Sequence, residues 1–183
     1  MRLGVFGGSF DPIHHGHLIA AGTLADALEL DEVLLTVARR QPLKRDGHRA
    51  PAEDRAEMVE LAVRGHPRLR VDRRELAREG PSYTVDTLRG LRAERPDAEL
   101  VLLLGTDAAR ELPSWREADA VRELARVVVF GRDEPAVGVV MVPRVEISST
   151  AIRARVQAGR SIRYWVPDAV AEYIAARRLY QEE

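Results

Sequence analysis

Apolar and polar positions fall in blocks whose period switches between that of a buried strand and that of an amphipathic helix. Leu3, Val5 and Phe6 mark a short buried strand over residues 2–6. Leu18, Ala21, Ala25 and Leu28 then recur at helical spacing, which predicts a helix over residues 14–29. The apolar run 33–38 has the length and the continuous character of a parallel strand buried on both faces. A helix over 51–65 would bury Ala56, Met58, Val59, Ala62 and Val63, with Arg55 early in it. Residues 67–74 carry only Leu69 and Val71 inward, a polar strand suited to a sheet edge. A turn at 80–84 leads into a helix with Val85, Leu88 and Leu91 inward, and Ser82 and Thr84 are its candidate caps. Residues 99–104 form the most apolar strand. An amphipathic segment at 118–125, strands at 127–130 and 137–142, a helix from Ser149 to a stop at Gly159, and final helices over 167–180 complete the pattern.

Strands alternating with helices predict an α/β fold: a Rossmann-like, doubly wound, mostly parallel sheet of five or six strands with helices on both faces and right-handed crossovers. With 183 residues and 45% hydrophobic content, the chain suits a single domain over 1–183, its helices from about residue 149 forming a small C-terminal cap. A formal charge of -1 argues against a dedicated nucleic-acid binder. The absence of cysteine rules out disulfide and thiolate chemistry and makes a cytoplasmic location the default. No run of 18 apolar residues or basic-then-apolar leader is present, so neither a membrane partner nor a secretory signal is expected.

The candidate chemistry begins after the first strand. Of five histidines, His14, His15 and His17 fall within four positions, shortly after Gly7 and Gly8. Two glycines let the backbone approach a ligand closely, and the start of the following helix attracts anions. His14 and His17, three apart, share one side of the first turn, so they suit phosphoryl oxygens while His15 is the bystander. A phosphate-loop NTPase would need GxxxxGK[ST] and a hydride-transfer site GxGxxG, and neither occurs. Zinc is disfavoured by the lack of cysteine and HExxH and by the positive helix end.

Four further stretches carry possible function. Residues 39–49 form a basic loop at the carboxyl end of a strand, where open α/β sheets bind ligands; of the 28 basic residues only Lys44 is a lysine, a mobile point charge suited to gripping and releasing phosphate. Gly105 and Asp107, after the central strand, fit either a ribose site or a plain helix cap. Trp115, behind Pro113, fits either hydrophobic cover or a stacking plate for a flat ligand. Ser148, Ser149 and Thr150 open a helix that carries Arg153 one turn in, so hydroxyls, N–H groups and a guanidinium could converge on one anion.

The stretch GGSFDPIHHGHL resembles the GGTFDPxHxGHL signature of nucleotidyltransferases with an HxGH motif, and ISSTAIR resembles their distal ISST-x-x-R signature. SYTVDTL, LLLGTDAARELPSW and YWVPDAVAEYI are similar to bacterial nicotinate-nucleotide adenylyltransferase in particular, over essentially the whole chain. The resemblance implies an enzyme of NAD biosynthesis that transfers AMP from ATP to nicotinate mononucleotide, giving deamido-NAD and pyrophosphate by direct in-line attack. It implies that His14, His17, Lys44 and Arg153 are catalytic, contacting and clamping the phosphates. It places Gly7, Gly8, Ser9, Phe10, Gly105, Asp107, Ile147, Ser148 and Ser149 at ATP, and Gly8, Ser9, Lys44, Tyr83, Thr84 and Trp115 at the mononucleotide. Mg²⁺ is expected to bridge the ATP phosphates with no protein cage. Ser9 stands where the signature has threonine and keeps the hydroxyl. The rivals are an adenylyltransferase for nicotinamide mononucleotide or phosphopantetheine, a non-catalytic ATP-binding module, and a tRNA-charging catalytic domain, for whose anticodon-reading part the length leaves no room.

Overall fold

Successive side chains of a strand point to opposite faces of a sheet, and in this chain both faces are apolar. The computed structural model describes residues 1–42, 47–132 and 137–181. Strands β1 (Arg2–Gly8), β2 (Glu32–Val37), β3 (Leu69–Asp72), β4 (Glu99–Gly105), β5 (Arg126–Gly131) and β6 (Val139–Met141) form one six-stranded sheet in the order β3-β2-β1-β4-β5-β6. Every neighbouring pair is parallel. The short polar strand takes one edge, as its composition predicts.

Helices α1 (His15–Ala27) and α2 (Ala52–Val63) cover one face, with α6 (Ser149–Gln157) and α7 (Asp168–Ala176) packed into the same cluster. Val33, Leu35, Val37, Val101 and Leu103 form the sheet side of that cluster, while Ala21, Leu24, Met58, Val59, Ile152, Val170 and Ile174 come from the helices. Helices α3 (Thr84–Glu94) and α5 (Ala118–Leu124) cover the other face, closing over Leu3, Val5, Leu100, Leu102 and Leu104. Burying one such leucine stabilises the fold by roughly 1.5–3 kcal/mol. A six-residue helix α4 (Thr106–Glu111) and a 3-10 turn at Leu112–Ser114, neither foreseen from periodicity, link β4 to α5.

Chain order runs outward in opposite directions from β1 and β4, so their carboxyl ends, Gly8 and Gly105, flank the point where the winding reverses. Ligands of open α/β sheets bind there. The C-terminal segment packs beside this region. The Tyr180 hydroxyl donates to Asp11 Oδ1 at 2.8 Å, and Asp54 on α2 accepts from Tyr173 at 2.8 Å and from Arg177 Nε at 3.1 Å. Among the described residues no helix is long and apolar enough to cross a membrane.

Two local expectations are corrected. Ser82 does not cap α3, whose N-cap is Tyr83; its hydroxyl accepts instead from Arg39 N at 2.9 Å, and its own N–H donates to Arg40 O at 2.8 Å. That splice ties the loop after β2 to the start of α3. Thr84 is the first residue of α3 and not its cap. Helix α6 starts at Ser149 as expected, capped by Ser148, whose Oγ accepts from Ala151 N at 3.1 Å and leaves Ser149 for another partner.

Candidate functional site

The exit from β1 is shaped by side chains that leave it no alternative. A Cβ on Gly8 would lie 2.8 Å from the Phe10 ring, whereas one on Gly7 would meet nothing within 4 Å. Phe10, at φ 46 and 2% exposed, turns into the core and meets Phe6 and His17 edge-on at 6.0 and 5.2 Å between centroids. Behind it Asp11 is buried, its carboxylate accepting from the N–H groups of Arg49 and Ala50 at 2.7 and 3.1 Å as well as from Tyr180. Burial first, and Asp11 second, push the Tyr180 phenol up from its usual value.

Arg55 is completely buried and donates to three backbone carbonyls: Nη1 to Ser9 at 2.7 Å, Nη2 to Arg39 at 3.2 Å and Nε to Ala50 at 3.2 Å. One guanidinium thus pins the glycine turn, the loop after β2 and the entry to α2 together. Sequence spacing gave no sign of this, because its partners lie up to 46 positions away.

His14 is the N-cap of α1 and His17 its third residue. The His14 N–H donates to His17 Nδ1 at 3.3 Å, which assigns the proton of a neutral His17 ring to Nε2. The two rings stack at 3.7 Å between centroids, 26° apart. Gly16 makes this possible, since a Cβ there would sit 3.0 Å from His14 Nδ1. Burial, then Arg132, then His15 lower the His14 pKa to about 4. Burial, then His14, then Arg132 hold His17 well below its usual value. At neutral pH both rings are therefore uncharged hydrogen-bonding groups, and among the described residues His14 Nδ1 is buried with no hydrogen-bond partner. The His15 backbone N–H donates to Trp165 O at 3.1 Å.

Two cavities open on either side of the β4 exit and share Phe6, Gly105 and Ala108 in their walls. One, of about 450 Å³, is lined by Gly7, Gly8, Tyr83, Thr84, Trp115 and Arg116, with Thr36, Glu75 and Thr87 also in its wall. The other, of about 840 Å³, is lined by His14, His17, Asp107, Ile147, Ser148 and Ser149, together with Arg110, Arg132 and Arg144. The first has a half-buried indole for a wall and the second a helix start with two imidazoles. A divided site of this kind has the chemistry to suit a flat apolar group on one side and a phosphate-bearing group on the other.

A cytidylyltransferase-like family model matches residues 5–155. A probable nicotinate-nucleotide adenylyltransferase of Thermus thermophilus is 50% identical, over 99% of this chain and 100% of its own. The chain belongs to this family. A second relative of the same description, from Geobacillus thermodenitrificans, is 45% identical over 98% of this chain and 86% of its own. In fold, the nicotinic acid mononucleotide adenylyltransferase of Plasmodium falciparum, solved with NaAD, superposes with a TM-score of 0.79 at 17% identity, over 98% of this chain and 97% of that one.

For a nicotinate-nucleotide adenylyltransferase, most of the residues named from the sequence converge. Gly7, Gly8, Tyr83, Thr84 and Trp115 meet in the smaller cavity, His14, His17, Asp107, Ile147, Ser148 and Ser149 in the larger, and Gly105 in both. Asp107 is not the cap of α4, which is Gly105; its exposed carboxylate lies 3.3 Å from Arg110 Nη1. Ser149 Oγ donates to Pro12 O at 2.9 Å, holding the start of α6 against the β1 turn.

Ser9, Phe10 and Arg153 are the described candidates that line neither cavity. Ser9 Oγ donates to Gln41 at 2.7 Å, and Phe10 is core. Arg153 Nη1 donates to Asp11 O at 2.7 Å and Nη2 to Thr150 Oγ1 at 3.3 Å, so its guanidinium braces the turn from behind. Lys44 lies outside the described residues. The sequence reading missed Arg132, whose signal was its place directly after the Gly131 that ends β5, the position Thr106 holds after β4.

Proposed function

We propose that this protein transfers the AMP moiety of ATP to nicotinate mononucleotide, forming deamido-NAD and pyrophosphate. The observation that carries the reading is the pair of cavities meeting at Gly105: the pyridine ring goes beside Trp115 and the adenosine and triphosphate beside His14 and His17. An oxygen of the mononucleotide 5′-phosphate attacks the α-phosphorus of ATP, and the bond to the β-phosphate oxygen breaks with its electron pair on pyrophosphate. No covalent protein intermediate is needed, so catalysis is positioning and charge neutralisation.

In this reading the neutral His17 donates from Nε2 to the phosphates. His14, whose Nδ1 has no partner among the described residues, adds the second imidazole, and a triphosphate drawing close would favour protonation of both rings. Arg132 supplies permanent positive charge to the same cavity, Lys44 further charge from the basic loop, and Ser148 and Ser149 the start of α6. Arg153 acts through the turn it braces. Gly105 and Asp107 hold the ribose, while Tyr83, Thr84 and Trp115 hold the pyridine ring. A divalent metal, Mg²⁺, would be carried by the phosphates and bound mainly by nucleotide oxygens. Its part would be to neutralise phosphate charge. We place the protein in the cytoplasm as a single nucleotidyltransferase domain.

The test is pyrophosphate release from ATP, Mg²⁺ and nicotinate mononucleotide, expected to match deamido-NAD formed one to one. No release would remove the enzyme reading. Faster release with nicotinamide mononucleotide or phosphopantetheine would replace the acceptor.

A further inference from the structure

The cavity beside Trp115 carries an uneven set of charges. Among the described residues its wall has two carboxylates, Glu75 and Glu111, and one cationic side chain, Arg116. Glu75 is engaged within the wall: the Thr87 hydroxyl donates to its Oε1 at 2.6 Å, and Arg78 Nη2 lies 3.7 Å from it. Arg116 is held more loosely. Its guanidinium carbon stands 4.8 Å from the Tyr83 ring centroid, and its Nε is 3.6 Å from Glu117 Oε1. Glu117 already takes both terminal nitrogens of Arg89, at 3.2 and 2.5 Å, so the pairing with Arg116 is the weaker of its two. A guanidinium stacked on a ring uses its face and keeps its donor edge for another partner.

We propose that Arg116 sets the preference of this cavity for a pyridine ring bearing a carboxylate over the same ring bearing a carboxamide, by turning that donor edge toward the charged substituent. The inference rests on the reading that a pyridine mononucleotide occupies this cavity. Arg116 directly follows Trp115, and the Tyr83 it stacks on directly precedes Thr84, so the cation belongs to the group of side chains that would surround the ring. An anionic ring entering beside Glu75 and Glu111 needs a counter-charge, whereas a neutral amide does not. Hydrogen bonds between two ions are about twice as strong as neutral ones, so the cation favours the carboxylate.

The test is steady-state kinetics of the protein and of Arg116→Gln, with ATP and either mononucleotide. The side chain is half exposed, at 53%, so the fold should survive its replacement. KM for nicotinate mononucleotide is expected to rise about tenfold, while KM for ATP and for nicotinamide mononucleotide changes by less than about twofold. Arg116→Lys should fall between, and added salt should narrow the preference of the wild type more than that of Arg116→Gln. An equal rise for both mononucleotides would reduce Arg116 to a prop for Tyr83 and overturn the inference, as would no change for either. A wild-type protein that turns over neither mononucleotide would overturn the reading beneath it, a failure visible before any substitution is made.

Discussion

The two cavities that share Gly105 are built from different materials. The smaller one is walled by side chains brought from distant parts of the chain: Tyr83 and Thr84 at the start of α3, Trp115 after the 3-10 turn, and residues from the ends of β1 and β2. The larger one combines two helix starts with α4 and the exit of β5, and the helix starts owe their polar groups to local sequence: His14, Gly16 and His17 at α1, Ser148 and Ser149 at α6. A flat ring is held by excluding water from both its faces, which demands large side chains from several elements. Phosphate is held by N–H groups, hydroxyls and charge, which one helix turn can present by itself. The contrast means that the two halves should fail separately when mutated.

The largest effect is expected on the phosphate side. His17→Ala should lower kcat by about 10²–10³, the usual loss for one preorganised donor, with KM for the mononucleotide little changed; equal kcat would take His17 out of the chemistry. Arg55→Met strikes both halves at once, because three carbonyls lose their donor. It should cost about 3 kcal/mol of stability in denaturant unfolding, and a variant as stable as the wild type would deny the strut its role.

Acid should weaken the histidine side next. His14 takes up its proton near pH 4 in the folded protein and near 6.5 when unfolded, so the unfolded chain binds more protons between these values. The contribution is fully present above about pH 6.5 and is lost as pH falls, amounting to about 2 kcal/mol between pH 7 and 5. His17, lowered in the same direction, adds to it. His14→Gln should flatten this slope in unfolding measured against pH. On the ring side, Trp115→Ala should raise KM for the pyridine nucleotide about tenfold and leave KM for ATP unchanged; equal rises would make the indole structural cover. Chelating Mg²⁺ should stop turnover without shifting the melting temperature, because the ion would arrive with the nucleotide.

The same contrast explains what could be read from the sequence. The larger cavity was largely legible, since the histidine spacing and the cluster of hydroxyls are local patterns on helix starts. The alternation of strand and helix likewise carried the parallel sheet and its polar edge strand. Tertiary commitments were not legible. Arg153 sits one turn into α6 as expected, yet it donates to Asp11 across 142 positions. Ser82 looks like a helix cap but is used by Arg39 across 43. Helix α4 is too short, at six residues, to display a period. Arg132 and Arg116 were hidden among many arginines, and only the fold distinguishes those that face a cavity.

The most direct measurement is a crystal structure with deamido-NAD bound. The pyridine ring should lie beside Trp115 and the adenosine beside Asp107 and Ile147, with the bridging phosphates passing Gly7, Gly8 and the stacked histidines. A dinucleotide folded into one cavity, or lying with its two rings exchanged, would contradict the divided site.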